Sequence, residues 1–122
     1  MKLKKDGFTL LEVLIAVIIL TVGVIAIVKA CNTIMASASD AEDTALAVYI
    51  AQAKMEGVRG MAFTSITSTN PAFIPAQDAN FPIFTVDANT SGTDPKQVDV
   101  IVTWNARGGQ ASITLTTLRA QS

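Results

Sequence analysis

Residues 8–28 read FTLLEVLIAVIILTVGVIAIV, and this stretch decides the fold. Its one ionisable side chain is Glu12, and it contains no proline. At 1.5 Å of rise per residue, a helix of this length spans roughly 31 Å, close to the hydrocarbon thickness of a bilayer. A membrane-spanning helix is therefore predicted over 8–28. Lys2, Lys4 and Lys5 precede the run, and only Lys29 follows it closely. Positively charged flanks stay cytoplasmic, so the C-terminal part is expected across the membrane.

The other 101 residues of the 122 have a different character. Half of all residues are hydrophobic and the mean hydropathy is +0.44, but the excess sits in 8–28, while Ser37–Ser122 reads like a small soluble domain. That leaves too little chain for a deep, water-excluding cleft. The formal net charge of −1 gives no basic footprint for nucleic acid. With no histidine, the commonest general base and metal ligand is missing, and the single Cys31 rules out an internal disulfide and a multi-cysteine metal site. Composition argues against an enzyme.

Glu12 is the anomaly. A carboxylate at the centre of a membrane helix costs on the order of 2.5–3.5 kcal/mol on insertion scales. Five residues into the run, it either snorkels to the interface or takes up a proton, or its charge is matched by a cation supplied on assembly. A new α-amino group at Phe8 would supply one, because such amines titrate near 7.7–8.0. That route requires cleavage after Gly7.

The segment Lys4-Lys5-Asp6-Gly7-Phe8-Thr9-Leu10-Leu11-Glu12-Val13-Leu14-Ile15 resembles the class III prepilin signal of type IV pilins and type II secretion pseudopilins. The resemblance implies a short basic leader, residues 1–7, cut after Gly7 by prepilin peptidase. It implies N-methylation of Phe8, and a Glu12 that pairs with the α-amino group of a neighbouring subunit to set the register of a fibre. Asp6 before the glycine is unusual for such a leader, although its net charge stays positive. A rival reading takes the same segment as a secretory signal, with Val28-Lys29-Ala30-Cys31 as a lipoprotein cleavage box. Lys29 sits where such boxes carry a small uncharged residue, and the apolar run exceeds the usual length.

Beyond the membrane no proline interrupts Ala30–Met61, and helix-forming residues are frequent. The helix is expected to continue through 29–60 and to stop at Gly57–Gly60, about 80 Å from its start at 1.5 Å per residue. Ser37-Ala38-Ser39-Asp40 is a weak point that could fray or restart it, because Ser39 or Asp40 could act as an N-cap. Leu46, Tyr49, Ile50 and Ala53 are placed on one face and Val48, Met55 and Val58 on another. Two stripes suit a helix with a sheet on one side and fibre neighbours on the other; an ordinary amphipathic helix on its own sheet is the alternative.

Residues 61–122 are expected to form a small antiparallel sheet domain of about three strands, giving an α+β, pilin-like fold. Ala62–Asn80 reads as loop with a short strand near Phe63–Ile66. Phe81–Asp87 is predicted as an edge strand because of Pro82, and Ala88–Pro95 as a turn-rich connection. In Val98–Trp104, Val98, Val100, Val102 and Trp104 share one face. Gly108 and Gly109 turn the chain into Ala111–Leu118, with Ala111, Ile113 and Leu115 inward.

No catalytic, cofactor or metal site is predicted. Asp87, Asp94 and Asp99 border one loop, and some pseudopilins bind calcium in a comparable loop, but the spacing lacks the D-x-[DN]-x-[DN]-G pattern and reads as solvated turn residues. Arg107-Gly108-Gly109 reads as a turn, Trp104 as core, and Cys31 as a small packing residue. The loose pattern of the C-terminal strands resembles minor pilins and pseudopilins of the PilV/GspI type. Lys29 stands where many major pilins carry proline, and the disulfide of many major pilins has no partner for Cys31. The resemblance implies a single-pass inner-membrane protein whose partners are prepilin peptidase, other pilins or pseudopilins and an inner-membrane assembly platform. The alternatives are a membrane-anchored or lipidated extracytoplasmic binding module, or a pilus subunit for adhesion or DNA uptake.

Overall fold

The computed structural model describes residues 7–121, so Lys2, Lys4, Lys5 and the rest of the expected leader before Gly7 lie outside the described residues. One helix, α1, runs from Leu10 to Arg59. The chain divides between Ser39 and Asp40 into two units.

In the first unit α1 is exposed along its length and is apolar enough to cross a membrane. Both threonine hydroxyls of this part of the helix bond within it. Thr21 Oγ1 donates to the Val17 carbonyl at 2.7 Å and Thr33 Oγ1 to the Lys29 carbonyl at 3.0 Å. Such back-bonding lets threonine sit in a helix facing hydrocarbon without an unpaired polar group. The weak point at Ser37–Asp40 does not interrupt the helix. The helix passes through without a cap, and Thr44 Oγ1 donates to the Asp40 carbonyl at 2.8 Å.

The second unit packs the distal part of α1 on a four-stranded antiparallel sheet, an α+β, pilin-like arrangement. Its strands are β1 (Ala76–Gln77), β2 (Thr85–Ser91), β3 (Lys96–Ala106) and β4 (Gly109–Arg119), in the spatial order β1-β2-β3-β4. The core joins Ala47, Ile50, Ala51, Met55 and Val58 of α1 to Phe84, Val86, Ala88, Val98, Val100, Val102 and Trp104. Ile66 and Phe73 from the connecting loop complete it. The ring of Trp104 lies 5.7 Å from that of Phe84, tilted by 47°.

The expected inward face of Val98, Val100, Val102 and Trp104 is the buried face of β3. Ala111, Ile113 and Leu115 of β4 point the same way but are only half-buried. The expected faces of the helix are corrected. Ile50 is buried, but Tyr49 and Ala53 are exposed, and Met55 and Val58 join Ile50 in one stripe with Ala47 and Ala51. Positions 47, 50, 51, 55 and 58 follow the helical repeat, so one face meets the sheet.

Four strands replace the expected three, and the loop is arranged differently. Phe63–Ser65 is a single 3-10 turn, not a strand, and a second such turn spans Pro71–Phe73. Asn70 Oδ1 accepts the Ala72 amide at 3.0 Å and its Nδ2 donates to the Ser65 carbonyl at 2.8 Å, which fixes both turns. Residues 81–84 form no strand. Asp78 Oδ1 accepts the amides of Asn80 and Phe81, both at 2.9 Å, and the Phe84 amide donates to the Phe81 carbonyl. This aspartate-centred turn delays β2 to Thr85, and β2 then runs through Ala88–Ser91, which sequence assigned to a connection. Gly92 follows at φ +80°, where an added Cβ would lie 2.9 Å from the Pro95 carbonyl oxygen.

Candidate processing and assembly site

Gly7, Phe8 and Thr9 form a short non-helical, exposed lead into α1, and the Phe8 side chain is 83% exposed. Thr9 occupies the N-cap. Its Oγ1 accepts the Glu12 amide at 3.2 Å, and its carbonyl accepts the amides of Glu12 and Val13 at 3.1 and 3.2 Å. Threonine followed three residues later by glutamate is the sequence signature of a capping box. The signal was present in the sequence but was overshadowed by the charge of Glu12. A carboxylate in the first turn is also favoured by the positive end of the helix dipole.

Glu12 is exposed, and its carboxylate has no hydrogen-bond or ion-pair partner among the described residues. It shares a strip of helix surface with Phe8, Ala16 and Leu20, at four-residue spacing, and with Val13 and Val17 beside them. The three residues singled out in sequence thus fall together at one helix end. Gly7–Phe8 is a peptide bond in exposed, non-helical backbone, and Glu12 is an acid without a partner among the described residues one turn further on. Cys31 is exposed inside the uninterrupted α1.

Two of the loop aspartates are tied into the fold. Asp94 Oδ1 accepts the Gln121 amide at 3.1 Å, and Asp99 accepts from Gln97 Nε2 at 3.1 Å and Thr116 Oγ1 at 2.6 Å. Among the described residues no three histidine, cysteine or acidic side chains are grouped to hold a metal ion. Sequence reasoning missed Lys96. Its Nζ donates to the carbonyls of Phe63 at 3.0 Å and Ile66 at 2.9 Å and lies 4.4 Å from the centre of the Phe63 ring. No local pattern announces a contact across thirty residues.

Residues 2–28 match the family model described as the prokaryotic N-terminal methylation motif. The chain carries a class III prepilin signal. The prepilin signal is consistent with a type IV pilin-like or pseudopilin subunit anchored in the inner membrane, processed by prepilin peptidase and assembled with other pilins. It points to a structural role. No curated protein and no solved structure matches the chain.

Proposed function

We propose that the chain is a minor pilin or minor pseudopilin, cut between Gly7 and Phe8, N-methylated on Phe8 and built into a fibre through α1. The observation that carries this reading is the junction itself. An exposed glycine–phenylalanine peptide leads into a threonine-capped apolar helix, and Glu12 is the one ionisable side chain from Phe8 to Val28. In the membrane the carboxylate is costly, and the methylated ammonium of Phe8 on a neighbouring subunit matches its charge. The pair gives directional register, because each subunit offers a cation at position 8 and an anion at position 12. Lys2, Lys4 and Lys5 hold the leader on the cytoplasmic side, where the peptidase removes it.

Mass spectrometry of the chain from membranes of a cell with an active prepilin peptidase tests the proposal. A mature terminus at N-methylated Phe8 is expected. A chain still beginning at Met1, or one beginning at a lipid-modified Cys31, would overturn it.

A further inference from the structure

Of the five asparagines, Asn89 alone is followed two residues later by serine or threonine. Asn89-Thr90-Ser91 is thereby the one triplet of the chain with the N-x-[ST] pattern of an N-glycosylation acceptor, its middle residue not proline. It forms the last three residues of β2, and Gly92 at φ +80° begins the turn that follows. Strand alternation puts Asp87, Asn89 and Ser91 on one face at steps of about 6.8 Å, while Val86 and Ala88 turn into the core. The triad's face is therefore the one opposite α1.

Asn89 and Ser91 are exposed, and the Asn89 carboxamide has no hydrogen-bond partner among the described residues. Asn70, by comparison, commits both ends of its carboxamide to Ser65 and Ala72. Asp99 stands opposite Asn89 on β3 but turns its carboxylate to Gln97 and Thr116. β1 reaches only Thr85 and Val86, so residues 87–91 are paired on the β3 side alone. Freeing the last three of them from that one neighbour exposes the triplet and leaves Val86 and Ala88 in the core. Asp87 adds a negative charge two residues ahead of Asn89 on the same face, and a cationic cleft would hold it.

We propose that Asn89 is an N-glycosylation acceptor, taking an oligosaccharide from a polyprenyl-diphosphate donor on the extracytoplasmic side of the membrane. The carboxamide nitrogen of Asn89 bonds to the anomeric carbon of the first sugar and gives up one proton to a base of the transferase. The bond from that carbon to the diphosphate oxygen breaks, and polyprenyl diphosphate leaves with the electron pair. The Ser91 hydroxyl and the Asp87 carboxylate are the groups by which the transferase recognises the segment. The glycan leaves the face opposite α1, so the core is not disturbed. The membrane-anchored reading above supplies one element, the presence of residues 40–122 on the side of the lipid-borne donor.

The test incubates the full chain in detergent micelles with a purified bacterial oligosaccharyltransferase and undecaprenyl-diphosphate-linked oligosaccharide. Fragmentation mass spectrometry of the tryptic peptides is expected to place the oligosaccharide on Asn89 and to find Asn32, Asn70, Asn80 and Asn105 bare. Ser91→Ala is expected to lower transfer about a hundredfold, because the site that bonds the hydroxyl rejects a chain lacking it. Asp87→Asn is expected to lower it about tenfold. Ser91→Thr keeps the hydroxyl and is expected to keep the transfer, which separates recognition from any change in folding. A bare Asn89 in micelles, or transfer indifferent to Ser91→Ala, overturns the proposal. Protease digestion of spheroplasts from cells that make the chain, the transferase and the donor reads the membrane side separately. Digestion of residues 40–122 together with a bare Asn89 also overturns the proposal. Protection of residues 40–122 overturns the membrane orientation instead, and the micelle result then decides the acceptor by itself.

Discussion

The Glu12 amide donates to Thr9 Oγ1 across 3.2 Å, so the residue that begins the helix also holds the backbone of the one acid in the apolar run 8–28. The cap fixes where α1 starts relative to the Gly7–Phe8 bond, and hence how far the carboxylate stands from the terminus that cleavage would create.

Thr9→Ala removes the side-chain acceptor and should weaken the first turn by about 1 kcal/mol. Amide exchange of the chain in detergent micelles checks this: exchange at Glu12 should quicken about fivefold, and exchange beyond the second turn should not change.

Glu12→Ala and Glu12→Gln both remove the negative charge while leaving Gly7 and Phe8 in place. Each should be processed to the mature form on an immunoblot at close to the normal extent, yet be lost from the sheared-fibre or assembled fraction. Normal assembly of both variants would contradict a charge-based register.

Lys96→Met should destabilise the outer unit by about 2 kcal/mol, because two carbonyls lose a charged donor and Phe63 loses its cation. All the buried core residues lie between Ala47 and Trp104, so a fragment of residues 40–122 carries its whole core and suits the measurement by urea denaturation.

Gly92→Ala and Gly108→Ala make a matched pair. At Gly92, φ is +80° and the new Cβ would meet the Pro95 carbonyl oxygen at 2.9 Å, so a loss of about 1–3 kcal/mol is expected. At Gly108 nothing lies within 4 Å of the added carbon, and the loss should stay under about 1 kcal/mol. Thermal unfolding of the same fragment compares them.

The parts of the fold that were legible in sequence are those where one physical signal acts alone. The apolar run of 8–28 and the strict alternation of Val98–Trp104 are of this kind, and helix and buried strand face appear where expected. β2 was misplaced because Phe81-Pro82-Ile83-Phe84 has the composition of a strand, while the Asp78 carboxylate two to three residues earlier captures the amides that would begin it. β1, at two residues, exists only through its pairing to Thr85 and Val86 and has no periodicity to read. The helix face was misjudged because Tyr49 carries more hydrophobic area than Ala47 or Ala51, yet the sheet covers the alanines. At the candidate site, the chemistry of Gly7, Phe8 and Glu12 was readable from residue type and spacing, whereas the cap that orients Glu12 was visible only as a hydrogen bond.

The residues that close the outer unit are unusual in how little freedom they bring to be lost. Ala47 and Ala51 have no rotamers to freeze, and Val58, Val98, Val100 and Val102 are already stiff at χ1. A unit of this size buries a smaller share of its surface than a larger domain does, so it cannot rely on area alone. Ten of the fourteen buried core side chains are alanine, valine or isoleucine, so most of the core is ordered at a small side-chain entropy cost, which lowers the hydrophobic gain needed to hold the sheet on the helix.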